Sequence, residues 1–245
     1  MGAAVTIPAI PRGRQRYGLL LLSAVLLLVF QGVGPKGAVQ QIGIAVLSSS
    51  SLLLALRAAQ VRPGVVRAGV VFAGVVITIS TLQALAGGIG DGVALAMNAA
   101  LLVFGPPAVA LGILRDLRAS GHVRVEAVSG VLALYMLVGM VFAFLYGAID
   151  RLGGPAFFSN GVEATASNCQ YFSFITLTTV GYGDITAATD LGHTLAVLEA
   201  LIGQIYLVTV VSLIVTNLAA RRAGRSGRRD HQAWVAAPEA TGRKS

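Results

Sequence analysis

The residues best placed to do chemistry lie in one short stretch, Thr176-Leu177-Thr178-Thr179-Val180-Gly181-Tyr182-Gly183-Asp184. Nowhere does the chain space Cys and His as metal ligands or carry a phosphate-binding glycine loop, so no enzymatic constellation competes with it. The chemistry on offer is that of backbone carbonyls. Gly181 and Gly183 can take left-handed or mirror conformations that let successive carbonyls point the same way. Thr179 adds a hydroxyl at the inner end of the row. Tyr182 can turn its ring away, against Tyr171 or Phe172, and hold the row open. Four such strands around an axis would stack rings of oxygens able to replace the hydration shell of a monovalent cation.

Such a loop must be held by the elements around it, and these are oily. Hydrophobic residues make up 56% of the 245 and charged residues only 11%. Stretches 17–35, 37–56, 68–90, 92–114 and 127–149 contain no Asp, Glu, Lys or Arg, each 19 to 23 residues long. A helix needs about 20 residues to cross a bilayer core. A sixth run, 189–217, is interrupted only by Asp190, His193 and Glu199. The expected spans are therefore 17–35, 38–56, 68–90, 92–114, 127–149 and 189–217. Between the last two, Ser167 is a candidate N-cap for about eleven helical residues, roughly 16 Å or half a bilayer. Both flanks of this segment face outside, so the chain must descend as a half-helix and return extended. Non-helical backbone at that depth is tolerated only inside protein or along a watery path. The half-helix C-terminus carries about half a negative charge and favours a cation at the membrane centre.

Orientation follows from the cations. Arg12, Arg14 and Arg16, then Arg57, Arg62 and Arg67, then Arg115, Arg118 and Arg124, and the seven from Arg221 to Lys244 all fall on one side. Only Lys36 and Arg151 fall on the other. Basic residues stay inside, so both termini are expected in the cytoplasm and the net charge of +8 reflects topology. Nucleic-acid binding, the other use of such charge, lacks a soluble domain to carry it. The basic start followed by an apolar run also fits a signal peptide, but 19 uncharged residues without a small-residue cleavage site favour a retained span. Cys169 is the single cysteine, which excludes an intrachain disulfide; it reads as a small buried hydrophobe.

The segment Thr179, Val180, Gly181, Tyr182 and Gly183, preceded by Thr178 and followed by Asp184, resembles the selectivity filter of tetrameric potassium channels. The resemblance covers about 127–217. It implies an all-α membrane protein of six transmembrane helices with a re-entrant pore helix and filter loop, assembled as a homotetramer. The implied domains are a cytoplasmic tail (1–16), a four-helix part (17–114), a cytoplasmic linker (115–126), a pore domain (127–217) and a disordered basic tail (218–245). The implied function is passive, selective K⁺ conduction without enzymatic activity, with no cofactor beyond the permeant ion. K⁺ would be held at Thr179, Val180, Gly181 and Tyr182, with Gly183 completing the row and Thr178, Asp184, Tyr171, Phe172 and Glu199 in support. Voltage-gated members carry arginines along the fourth span, and here that span has none, so steep voltage gating is not expected. A non-conducting scaffold and a poorly selective cation pore are the competing readings. Transporters of related ancestry repeat the unit four times with reduced filters, whereas this chain has one unit and a full filter.

Several residues admit two readings. Glu199 is either a functional intramembrane acid or a brace tucked behind the filter and bonded to the pore helix. Gly203 is a gating hinge or a place where helices approach closely, and Gln204 faces the cavity below the filter or bonds between helices. Ser48 to Ser51 bond their own helix carbonyls or line a polar pocket. His193 reads as an interfacial residue. Arginines of the tail set orientation or bind anionic lipid head groups. Arginine outnumbers lysine sixteen to two beside abundant Ala, Gly and Val, which points to a bacterial plasma membrane.

Overall fold

A computed structural model describes residues 12–35, 37–86, 91–120, 125–152, 155–210 and 212. The basic tail 218–245 and its expected lipid contacts lie outside the described residues, as do 1–11 and part of the 115–126 linker. Among the described residues every regular element is helical: α1 (Arg12–Val33), α2 (Ala38–Ala58), α3 (Pro63–Ala86), α4 (Asp91–Val103), α5 (Gly105–Ser120), α6 (Val125–Arg151) and α7 (Ala166–Leu177). A last helix, α8, covers Asp190–Val210. A lone antiparallel bridge, Phe158 to Ala187, ties the segment before α7 to the segment after the glycine-rich loop.

Five stretches are helical, long and apolar enough to cross a membrane: Ala38–Ala58, Pro63–Leu85, Val93–Arg115, Val128–Arg151 and Asp190–Val210. The apolar part of α1, Tyr17–Val33, is shorter. Helix boundaries do not coincide with charge boundaries. Arg67 lies inside α3, which starts four residues earlier at Pro63, where a fixed φ suits the first helical turn. Charges mark where lipid ends, and the helix simply continues past that level.

The expected span 92–114, with Pro106 and Pro107 interrupting its helix, is two helices. It breaks at Phe104, and Pro106 and Pro107 follow in the first turn of α5. Neither proline has an N–H for the carbonyl one turn back. The expected connector 115–126 is largely helix too, since α5 runs to Ser120 and α6 begins at Val125.

Helix α6 runs beside both halves of the chain. Its Ala133, Leu137, Met140 and Phe144 share one core with Tyr17, Leu20 and Leu27 of α1, Ile44 of α2, Leu102 of α4 and Val109 of α5. A second core joins α2 to α3 and α4 through Leu52, Leu56, Ala73, Val76 and Leu101. The third is aromatic: Tyr146, Phe157, Phe158 and Phe172 pack with ring centroids 4.8 to 6.1 Å apart. Elsewhere α3 presents Val65, Val70, Val71, Val75 and Leu82 outward, as a helix facing lipid would.

Candidate ion-coordinating loop and its supports

Helix α7 has 12 residues, about 18 Å of rise, too short to cross. Its cap is Thr165 rather than the expected Ser167. Thr165 is extended (φ −65°, ψ 159°) and its hydroxyl accepts from the Asn168 N–H at 3.1 Å. Both residue types cap well; the extended backbone at 165 decides between them. At the other end Thr178 closes the helix, its N–H bonded to Phe174 O and its hydroxyl donating to the same carbonyl at 2.6 Å.

The chain then leaves the helix with alternating handedness. Thr179 (φ 59°), Gly181 (φ 51°) and Gly183 (φ 79°) are left-handed, and Val180 and Tyr182 are not. Glycine takes this conformation freely, whereas a threonine there is strained. The sequence pointed to the two glycines and missed Thr179. The N–H groups of Val180 and Gly181 both reach back to Ile175 O, at 2.9 and 3.1 Å, and Thr179 N–H reaches Thr176 O at 2.9 Å. The first three donors of the loop are thus turned into α7. Among the described residues no hydrogen bond ends on the carbonyls of 179–183.

The side chains expected to support the loop are not all where they were expected. Within one chain Tyr182 makes no ring contact with Tyr171 or Phe172; it is 73% exposed in the isolated chain, and Val180 is 53% exposed. Phe172 belongs to the aromatic core beside α6, because the extended segment 157–158 folds under it. Tyr171 instead donates its hydroxyl to Asp184 Oδ2 at 2.8 Å, which joins the pore helix to the outer end of the loop. Beyond that point Ser159 N–H bonds Thr186 O, Ala188 N–H bonds Phe157 O, and the His193 ring nitrogen lies 2.9 Å from Ala187 O.

Glu199 is fully buried in α8 and bonded to both neighbouring helices. Tyr146 of α6 donates to its Oε2 at 2.6 Å, and Ser173 Oγ of α7 lies 2.5 Å from its Oε1. Ser173 also contacts Gly139 O of α6 at 2.7 Å. One turn lower, Tyr135 donates to Leu177 O at 3.1 Å, Tyr206 donates to Val131 O, and the two tyrosine rings sit 5.2 Å apart. Gly203 is the close-approach residue: a Cβ there would run into the Leu177 carbonyl. Helix α8 continues unbroken through Gly203, and Gln204 is on its exposed side. Cys169 is buried behind Tyr146 and Phe157, out of reach of a bridge to another chain.

The four-helix part is fastened to this assembly by two glutamines. Gln31 of α1 donates to Ala166 O at 3.1 Å, and Gln170 of α7 donates to Leu28 O at 3.0 Å. Within that part, Ser48 does more than bond its own helix: it reaches Asn98 Oδ1 at 2.6 Å, and Ser51 reaches Ser23 at 3.1 Å. Ser50 keeps to its own helix, bonding Val46 O.

A half-crossing helix, an extended return and two flanking helices define a membrane ion-channel segment. Residues 130–220 match a protein-family model described as "Ion channel". Over 90 residues the chain is 30% identical to the calcium-activated potassium channel slowpoke of Drosophila melanogaster. That match covers 37% of this chain and 7% of the fly protein. No solved structure matches. The second half of the chain is therefore similar to ion-channel segments, within a helical protein that has five helical stretches long and apolar enough to cross a membrane.

Proposed function

We propose that this chain is one subunit of a homotetrameric, potassium-selective channel whose ion-coordinating row is Thr179, Val180, Gly181, Tyr182 and Gly183. The observation that carries the reading is the division of labour in the loop. The N–H groups of Thr179, Val180 and Gly181 bond into the pore helix, and the carbonyls of 179–183 are left without a donor. Carbonyl oxygens in that state, at membrane depth, suit a dehydrated cation. The pore helix adds its negative end below them.

One copy supplies a quarter of a ring, so the site is complete only in an assembly. The exposed side of α8, with Val197, Leu201, Ile202, Ile205 and Val208, is the surface that further copies would cover or that would line the central cavity. Helix α1, 22 residues or about 33 Å in full, supplies a sixth crossing. The similarity to a potassium channel over the pore half supports the choice of ion.

Planar-bilayer recording of the purified protein alone tests the proposal and separates it from a non-conducting scaffold. The wild type is expected to pass K⁺ in strong preference to Na⁺. Tyr182→Ala and Gly183→Asp are expected to lose that preference or all conduction while the oligomer persists. Undiminished discrimination in either variant overturns the assignment of the ion row.

A further inference from the structure

A cleft of about 1090 Å³ opens where the outer ends of α1, α2, α3 and α4 meet the first turn of the pore helix. Its walls are unlike the rest of the chain. Of nine glutamines in the whole sequence, four line this one space: Gln31, Gln40, Gln41 and Gln83, with Asn98 and Asn168 beside them.

These carboxamides are fixed in place. Gln40 donates to Gln31 O at 3.2 Å, Gln41 to Gln83 Oε1 at 3.4 Å, Asn98 to Ala94 O at 2.8 Å and Asn168 to Glu163 O at 2.9 Å. Gln31 is held by its bond to Ala166 O, yet its own Oε1 is buried with no hydrogen-bond partner, the side chain being 1% exposed. A buried acceptor left unmatched costs about 1–3 kcal/mol, so this position calls for a donor from a guest. Among the described residues the charged lining ones are Arg151 and Glu163, of opposite sign, so the described walls carry no net charge. Immobilised carboxamides present a donor and an acceptor side by side, the pattern that adjacent hydroxyls on one small molecule can satisfy together.

From these features we infer that the cleft binds a neutral, hydroxyl-rich solute of the sugar or polyol class from the outer side. One wall is the pore-helix turn Thr165 to Asn168, and Gln31, also in the lining, holds Ala166. Occupancy therefore bears directly on the helix that carries the ion row. Binding stands apart from the conduction reading; its effect on flux rests on that reading.

The test uses the full chain in lipid nanodiscs, with saturation-transfer NMR and titrations of glucose, sucrose and trehalose, and with glycine and choline as zwitterionic and cationic comparators. Saturable binding of at least one sugar is expected, with neither comparator competing. The double substitution Gln41→Met and Gln83→Met removes both partners of one bond, which is close to neutral for folding. It is expected to weaken sugar binding about tenfold, one hydrogen bond's worth, with the oligomer unchanged in size. Flux measured in the same preparation should respond to the sugar in the wild type and not in the double variant. Absence of saturable sugar binding, meaning a water-filled cleft only, overturns the inference. So does preferential binding of glycine or choline, or undiminished sugar binding in the double variant. Sugar binding in a protein that passes no K⁺ would leave this site standing and overturn the conduction reading instead.

Discussion

Ser173 has one hydroxyl hydrogen and two acceptors in reach, Gly139 O at 2.7 Å and Glu199 Oε1 at 2.5 Å. Both contacts are hydrogen bonds only when the second hydrogen comes from the Glu199 carboxyl. The role left to Glu199 is to bond α7 and α6 at once, and a neutral amide can do the same. Glu199→Gln offers an N–H for Ser173 and a carbonyl for Tyr146, so it is expected to keep both the oligomer and conduction. Glu199→Ala strands the buried Tyr146 hydroxyl at about 1–3 kcal/mol, while Ser173 keeps Gly139 O. Thermal unfolding of the purified oligomer should show Ala well below Gln and wild type. Equal melting of the Ala and Gln variants would show that the bonds to Tyr146 and Ser173 contribute nothing.

At the scale of elements, the pore helix is located by contact along its whole length. Gln31 and Gln170 fix its start and flank, Glu199 and Gly139 its middle, and Tyr135 and Gly203 its end. Gly203→Ala would put a methyl group into the Leu177 carbonyl, so α8 or α7 must move. The expected outcome is a large loss of conduction, with reduced oligomer stability. Gly74→Ala in α3 is the control: nothing lies within 4 Å of its Cβ position, so replacement is neutral or stabilising by up to about 1 kcal/mol. If the two variants behave alike in melting and in bilayers, close packing at Gly203 does not matter. Much of this was legible beforehand for one reason: lipid forbids charge, so charge-free runs locate the crossings, and the loop's residue types announce unusual backbone. What stayed hidden was pairing at long range. Nothing near Glu199 in the sequence names Tyr146, 53 positions away, nor does anything near Gln31 name Ala166, 135 positions away. The choice of Thr165 over Ser167 and the left-handed Thr179 depend on backbone angles that residue type alone does not fix.

For the molecule as a whole, the helices that precede α6 have little for an electric field to act on. Stretches 68–90 and 92–114 carry no Lys or Arg, and the second of them is divided at Phe104 into two shorter helices. Moving one elementary charge through the membrane potential is worth about 2.3 kcal/mol per 100 mV, and steep gating needs several such charges. Conductance is therefore expected to vary weakly with voltage. A conductance–voltage curve steeper than about two or three gating charges per tetramer would require a sensor of another kind. If the cleft where these helices meet α7 binds a solute as inferred above, the four-helix part answers to a chemical stimulus instead.

The carbonyls of 179–183, which accept no hydrogen bond within the chain, bear on how a cell handles the newly made chain. Each polar group stranded in hydrocarbon costs several kcal/mol, so on the tetrameric reading a lone subunit carries a built-in defect, because only a completed ring can offer these carbonyls to an ion. Such a defect makes solitary copies conspicuous to membrane proteases and rewards assembly soon after insertion. Turnover should then be governed by subunit supply, with orphaned copies short-lived and completed rings durable.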